Sequence, residues 1–436
     1  MTRANVVIAA QAVAFAVMKT TRNRRRPSSR LGRPTRCRVR KQVQDIYDQL
    51  GPIYFRRSFR MSYPSFQKLA KKLEAKIIEL SQKNPLASFQ RYVPNGPITP
   101  SVRLACALRY FAGASLYDLM ITFGIGHTDA SNSIWYVVDA ISDHPDFSMH
   151  FPSDHAQQVA VATGFERVSA AGFNCCVGAI DGILIWIHRP SENDCENAKV
   201  SSGKFFCGRK HKFGLNCQAV CDARGRFMDM SIVFPGSTSD CLAFEGMSLF
   251  RKLEDGLLAP GLCIFGDNAY LNSTYMATPY TGAASGGRDA YNFYHSQVRI
   301  RIECAFGMLT HRWAILRKAI PMGISLQRSV ALVVALAKLH NFCIDETVPP
   351  MTAADDLQLS LDGGVPLERS NGVAHIRLPR QLMDGGDHFE DMDRLTRRQR
   401  ERDAARNHAG LLPRERLCIQ IQDGNLIRPP PDGRNH

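Results

Sequence analysis

Along residues 42 to 165, apolar positions recur at three- and four-residue steps, the spacing of one face of an α-helix. In RMSYPSFQKLAKKLEAKIIEL, Phe66, Leu69, Leu73, Ile77 and Leu80 form such a stripe, and Pro64 after Ser62 and Tyr63 suits a helix start. Ser101 opens VRLACALRYFAG and Gly113 closes it; SLYDLMITFG follows, and GIGHTDASNSIWYVVDAI makes a third helix after a glycine-rich break. Three short helices joined by tight turns resemble a helix-turn-helix. The third would then carry His127, Thr128, Ser131 and Asn132 at its amino end, where a recognition helix touches bases. A small bundle packed on the next domain explains the same pattern equally well.

From residue 172 the period changes. NCCVGAIDGILIWI is a long apolar, β-branched run and predicts a buried strand. After a basic polar loop from Ser191 to Lys212, GLNCQAVCDARGRFMDMSIVFPG predicts two strands joined at the turn Asp222-Ala223-Arg224-Gly225. A helix is expected from near Ser239 through SDCLAFEGMSLFRKL, then a short strand in LCIFGD that ends at Asp267. Residues 294 to 318, YHSQVRIRIECAFGMLTHRWAILRK, have helical length with no break except Gly307. Three strands, a helix, a strand, a short segment and a long helix make an α/β plan with a mixed sheet. Beyond Val348, Pro and Gly clusters and the charge run RRQRERDAARN predict a weakly structured tail with one exposed helix. The divisions are therefore a basic tail (1–41), a helical region (42–165), an α/β domain (166–345) and a low-order tail (346–436).

Composition changes this picture at the amino end. The chain has 436 residues, 44% of them hydrophobic, enough for a sizeable core. Its formal net charge is +15, yet residues 1 to 41 hold twelve Lys and Arg and no Asp or Glu, so the remainder is nearly balanced, 43 basic against 40 acidic. Pro27, Ser28, Ser29 and Pro34 interrupt any helix in that arm, which reads as disordered and polyanion-seeking. A nuclear-localisation or DNA-tethering role fits it, because Lys and Arg neutralise phosphates; a solubilising terminus is the plainer account.

The thirteen cysteines are odd in number and several lie inside apolar runs, which suits reduced thiols in an intracellular protein. No CxxC pair occurs, and Cys217 with Cys221 reads as two inward-facing strand positions rather than half a zinc site. Residues 4 to 18 are apolar and contain an Ala14-Phe15-Ala16 triplet resembling a signal cleavage site. The run is too short to span a bilayer, and the basic run and thiols behind it argue against a secretory leader.

The candidate chemistry lies in carboxylates. Asp181 interrupts an apolar run, CVGAI before it and GILIWI after it, and a carboxylate in mid-strand is costly to bury unless something binds it. Asp267 stands at a strand end and Glu303 in the middle of the long helix. Acids so placed can converge at a sheet edge as an oxygen-only site. Hard Mg²⁺ or Mn²⁺ prefers such donors, and two ions about 4 Å apart can drive in-line phosphodiester displacement. Taken singly each acid has a plainer reading: Asp181-Gly182 a turn, Asp267-Asn268 a cap, Glu303 a partner for Arg299. Asp240 in PGSTSD is a second-rank metal candidate, a fourth acid or the cap of the helix it begins. Arg209, Lys210, His211 and Lys212 precede the second strand, while Arg299, Arg301, Arg312 and Arg317 lie along the long helix. Of these Arg209, Lys210, Lys212, Arg299 and Arg312 are the DNA-binding candidates; a solvated face is the alternative.

The segments AIDGILI, GRKHKFGLNCQAVCDARGRFMDMSIVFPGSTSDCLAF, IFGDNAY with TPY, YNFYHSQVRIRIECAFGMLTHRWAIL and LHNFCI closely resemble the PIF/Harbinger transposases and their domesticated nuclease relatives, over roughly residues 172 to 345. The resemblance implies an RNase H-like core of the DDE endonuclease type, with Asp181, Asp267 and Glu303 as catalytic, metal-holding triad and two Mg²⁺ or Mn²⁺ ions as cofactor. It implies a nuclear DNA endonuclease or transposase that cuts phosphodiester bonds and joins the freed 3′-hydroxyl to target DNA, with DNA as substrate. Relatives commonly work with a separate Myb-like DNA-binding protein; a homo-oligomer and no membrane association complete the expectation. Two other readings are a DNA-bound regulator that no longer cuts, against which the intact triad argues, and an RNase H-like nuclease unrelated to transposition.

Overall fold

The structure, a computed structural model, describes residues 39–82, 97–282, 284–349 and 412–430. The basic arm before residue 39, the run RRQRERDAARN and most of the C-terminal tail lie outside the described residues.

Among the described residues, six helices come first: α1 (Val43–Phe59), α2 (Tyr63–Gln82), α3 (Pro100–Phe111), α4 (Leu116–Phe123), α5 (His127–Asp143) and α6 (His155–Glu166). The apolar stripe of α2 is buried as its period requires, with Phe66, Leu69, Leu73 and Ile77 in the core. Helix α3 starts just before Ser101, capped by Thr99, whose hydroxyl accepts the Val102 N–H; Gly124 closes α4 with φ +61°.

The α/β part runs β1 (Cys176–Trp186), α7 (Glu192–Ala198), β2 (Phe206–Cys207), β3 (Lys212–Cys221), β4 (Phe227–Pro235), α8 (Asp240–Glu245), α9 (Ser248–Glu254), β5 (Cys263–Phe265), β6 (Met276–Ala277), α10 (Gly287–Arg312) and α11 (Leu326–Asp345). A last helix, α12, spans Pro413–Asp423. Strand β1 pairs antiparallel with β3 and parallel with β5, which pairs parallel with β6; β4 and the short β2 flank the other side of β3. The sheet is mixed, as expected.

Both faces of the sheet are covered, which is why β1 is apolar almost throughout. Ala179, Cys217, Ala219, Phe265 and Ala277 pack with Tyr291, Val298, Ile302 and Ala305 of α10 in a core that continues into the amino-terminal helices. Ile180, Val220, Ile264 and Met276 face the other way, onto Phe244, Met247, Leu249 and Leu253 of the α8–α9 pair. Each such aliphatic side chain, fully buried, contributes about 1.5–3 kcal/mol.

The hairpin turn is as predicted. Asp222 Oδ1 accepts the N–H groups of Arg224 and Arg226, both at 2.9 Å, and Gly225 takes the positive φ, +82°, that an L side chain resists. The LHNFCI segment secures that hairpin from α11. Asn341 brackets Phe227, accepting its N–H at 2.8 Å and donating to its carbonyl at 2.7 Å, while His340 Nε2 meets Gly225 O at 2.9 Å. Burial holds the His340 imidazole neutral, its pKa lowered to about 4.

Three expectations change. The helix expected from Ser239 breaks at Gly246, where a Cβ would lie 2.2 Å from the Phe234 ring. The long helix spans 287–312 rather than 294–318: it starts directly after Gly286, with φ +57°, and ends at the buried Trp313, whose ring packs on Phe111. Within the expected low-order tail, α12 packs on the core through Leu417, Cys418 and Ile421.

Helix α5 is tied along its later half to α11 by the Arg328–Asp139 ion pair and a 2.7 Å bond from Lys338 to Ser142 O. At its amino end His127 and Thr128 are exposed, while Ser131 and Asn132 are half-buried. Among the described residues no cysteine forms a disulfide. Among the described residues no helix is long and apolar enough to cross a membrane.

Candidate active site

Asp181 lies midway along β1, opposite Ala219 of β3. Side chains alternate along a strand, so Asp181 shares the α10 face with Ala179 and Ile183, and Gly182 turns to the α8 face. Asp181 Oδ1 accepts the Gly182 N–H at 2.8 Å, while Oδ2 is 3.9 Å from Arg299 Nη1 on α10. Burial, then the charge of Asp267, raises its carboxyl to about pH 7, with Glu303 adding to the rise and Arg299 opposing it.

Asp267 follows β5 by two residues, its Oδ1 accepting the Ala269 N–H at 2.9 Å. Burial lifts its carboxyl above the ordinary range, Asp240 adds to the lift, and Arg299 and Arg209 oppose it. Glu303 stands one helical turn beyond Arg299, which donates to Glu303 Oε1 at 2.6 Å. The three acids thus share one electrostatic neighbourhood with Arg299 among them.

Asp240 reaches the same place from the other face. It is the first residue of α8, and its Oδ1 accepts from Asn216 Nδ2 at 3.0 Å and Gln218 Nε2 at 2.8 Å. Its side chain is therefore committed to β3 and not to a helix cap. Its Oδ2 is 4.0 Å from the exposed guanidinium of Arg209. Gly182 makes room for this approach, since a Cβ there would lie 2.3 Å from Asp240 Oδ1 and 2.4 Å from Gln218 Nε2.

Among the described residues no three His, Cys, Asp or Glu side chains are close enough together to form a ready-made metal cage. Each carboxylate instead takes a local N–H or the Arg299 guanidinium. The donor set nevertheless fits a hard divalent cation, being oxygen-only and under a repulsion that a cation would relieve.

The basic candidates divide. Arg209 and Lys210 are exposed on the turn before β3, Arg209 beside Asp240; Lys212 is exposed with its Nζ 3.2 Å from the centre of the Trp186 ring. Arg299 lies inside the acid cluster as an internal counterion. Arg312 corrects the expectation of a DNA contact: it is 3% exposed, and its guanidinium donates to the carbonyls of Arg60 at 2.8 Å, Val348 at 3.1 Å and Pro349 at 3.2 Å. A guanidinium sealed under the start of α2 and the end of α11 meets no phosphate. Sequence reasoning missed Asn216, Gln218 and Tyr270, whose hydroxyl donates to Gln218 Oε1 at 2.5 Å. The available signal was two amides spaced two apart in an otherwise apolar strand.

Residues 180–341 match the DDE superfamily endonuclease family, a span that contains all four acids. The chain is 26% identical to "Putative nuclease HARBI1" of Homo sapiens over 271 residues, 62% of this chain and 73% of that protein. It is equally similar to the protein of that name in Bos taurus, 26% over 250 residues, 57% of this chain and 68% of that protein. "Protein ALP1-like" of Arabidopsis thaliana is 26% identical over 263 residues, 57% of this chain and 62% of that protein. No solved structure matches the chain.

Proposed function

We propose, from the endonuclease match and the site geometry together, that this protein is a divalent-metal-dependent DNA endonuclease of the transposase type. The observation that carries it is Asp181, a carboxyl raised to about pH 7 in mid-strand by burial and by Asp267 and Glu303. A structural role does not call for two further acids raising a carboxyl on the central strand; a cation-binding role does. On this reading Asp181, Asp267 and Glu303 hold two Mg²⁺ or Mn²⁺ ions, with Asp240 beside them. Such ions, when bound, supply activation of the attacking oxygen and charge relief at the scissile phosphate.

The chain's own residues do the rest. Arg299 neutralises Glu303 and Asp181 where they stand and leaves a guanidinium within reach of a phosphate oxygen. Arg209, exposed beside Asp240, and the exposed Lys210 draw the DNA backbone toward the acids, and Lys212 extends that strip over Trp186. Strand transfer uses the same residues with a 3′-hydroxyl in place of water. The mixed sheet, with Asp181 in its central strand and Glu303 on a crossing helix, supports the RNase H-like reading of residues 166–345. His127 and Thr128, exposed at the start of α5, are the helix-turn-helix contacts this reading would use on bases. We assign it to the nucleus, with a Myb-like partner and a homo-oligomeric state, on the resemblance alone.

The test is nicking of a supercoiled plasmid by the purified protein with Mg²⁺ or Mn²⁺, beside folded Asp181→Asn and Glu303→Gln variants. Nicking by the parent alone, stopped by chelation, is expected. An inert parent that binds DNA would replace the nuclease with a non-cutting regulator.

A further inference from the structure

Asn216 and Gln218 lie two residues apart on β3, so both side chains point to the α8 face, where their surroundings are otherwise apolar. Both are buried, at 7% and 1% exposed, and buried amides are retained only when their hydrogen bonds are made. Here they are all made. Tyr270, itself 2% exposed, donates its hydroxyl proton to Gln218 Oε1 at 2.5 Å. Asp240, a carboxylate that only accepts, fixes the Gln218 amide: Nε2 donates to Asp240 Oδ1 and to Asn216 Oδ1, both at 2.8 Å, which leaves Oε1 for the Tyr270 hydroxyl. The bond to Asn216 fixes its amide in turn, and Asn216 Nδ2 donates to Thr238 O at 2.9 Å and to Asp240 Oδ1 at 3.0 Å. The chain has one direction, hydroxyl to amide to amide to carboxylate. It offers Asp240 donors alone, the complement of a group that only accepts.

The relay saturates one oxygen of Asp240 and leaves the other, Oδ2, on the side of Arg209. Gly182 is part of the device, because any side chain there would displace the Asp240 carboxylate and the Gln218 amide together. We infer that Tyr270, Gln218 and Asn216 are positioning residues that hold Asp240 by one oxygen and present the other as a further ligand for the divalent cation. This rests on the metal-dependent reading above and adds to it the group of residues that sets the fourth acid.

The experiment is Mn²⁺ titration by calorimetry on six full-length proteins: parent, Tyr270→Phe, Gln218→Glu, Asp240→Asn and the two double variants that combine Asp240→Asn with Tyr270→Phe or with Gln218→Glu, each checked for folding by circular dichroism. Loss of one oriented hydrogen bond upstream weakens Mn²⁺ binding by about threefold to tenfold in Tyr270→Phe. The same substitution then changes nothing in the Asp240→Asn background, because its effect passes through Asp240. Gln218→Glu, which replaces the two donors by a like charge, gives a larger loss that also disappears with Asp240→Asn. The relay is overturned, with the metal reading intact, if Tyr270→Phe binds Mn²⁺ like the parent or loses as much without the Asp240 carboxylate. A parent that binds no Mn²⁺ overturns both.

Discussion

On the proposed function, Asp181 is the residue at which stability and activity pull in opposite directions. Its folded carboxyl is raised to about 7 from the usual 3.8, so as pH rises between those values the unfolded chain ionises first. The stability belonging to its neutral form is therefore complete below about 3.8 and lost by about 7. Asp181→Asn removes the charge and keeps the shape. We expect the variant to be more stable than the parent at pH 8 in chelator, by on the order of 2–3 kcal/mol in urea unfolding. The gap should narrow toward pH 4, where the parent's carboxyl is neutral, and nicking should fall by about two orders of magnitude or more. A variant no more stable than the parent at pH 8 would mean that Asp181 is not frustrated in the folded state. Asp181 was legible in the sequence because a lone acid in an apolar strand is conspicuous. Gln218 and Asn216 were not, because an uncharged amide in a strand carries no comparable cost signal until its partners are known.

At the scale of elements, the proposed function requires α10 to be held still, since it carries both Arg299 and Glu303. Helix α12 and the segment after it hold it near its start: Gln422 packs where a Cβ on Gly287 would be, and beyond the helix Ile427 O accepts from Tyr294 at 3.1 Å and Arg428 pairs with Asp289 at 3.0 Å. Ile421 is fully buried in this contact. Ile421→Ala should cost about 2–5 kcal/mol of unfolding free energy, as for other buried large-to-small changes, measured by urea denaturation. A loose tail would tolerate the change, so an unaltered midpoint would remove α12 from the core. The helices and strands themselves were largely readable, their periods being local. The place of α12 was not: PRERLCIQIQD has a weak stripe amid charged residues, and its apolar positions acquire meaning only against α10.

For the whole molecule, charge separates into what folds the chain and what faces outward. Arg312 and Arg209 look alike in sequence, yet one bonds three backbone carbonyls in the interior and the other is exposed beside the acids. Arg312→Ala should lower stability by about 3 kcal/mol, because carbonyls paired to a charged donor lose it, while the salt dependence of DNA binding stays as in the parent. The double change Arg209→Ala with Lys210→Ala should leave thermal unfolding unchanged and reduce the slope of log affinity against log salt by roughly 0.9 per lost phosphate contact. An unchanged slope would take these two residues out of the DNA path.

The linear order of residues determined the types of element and the hairpin turn, because helical period, strand alternation and turn chemistry act over a few neighbouring positions; it singled out the acids as candidates. Tertiary structure alone decided which charges are interior and which amides matter. Arg312 finds a carbonyl 252 positions earlier in the chain, and Asp240 finds its donors on a strand 22 and 24 positions back. Burial and pairing of a polar group depend on such distant partners, and those are set when the sheet and its helices close on one another.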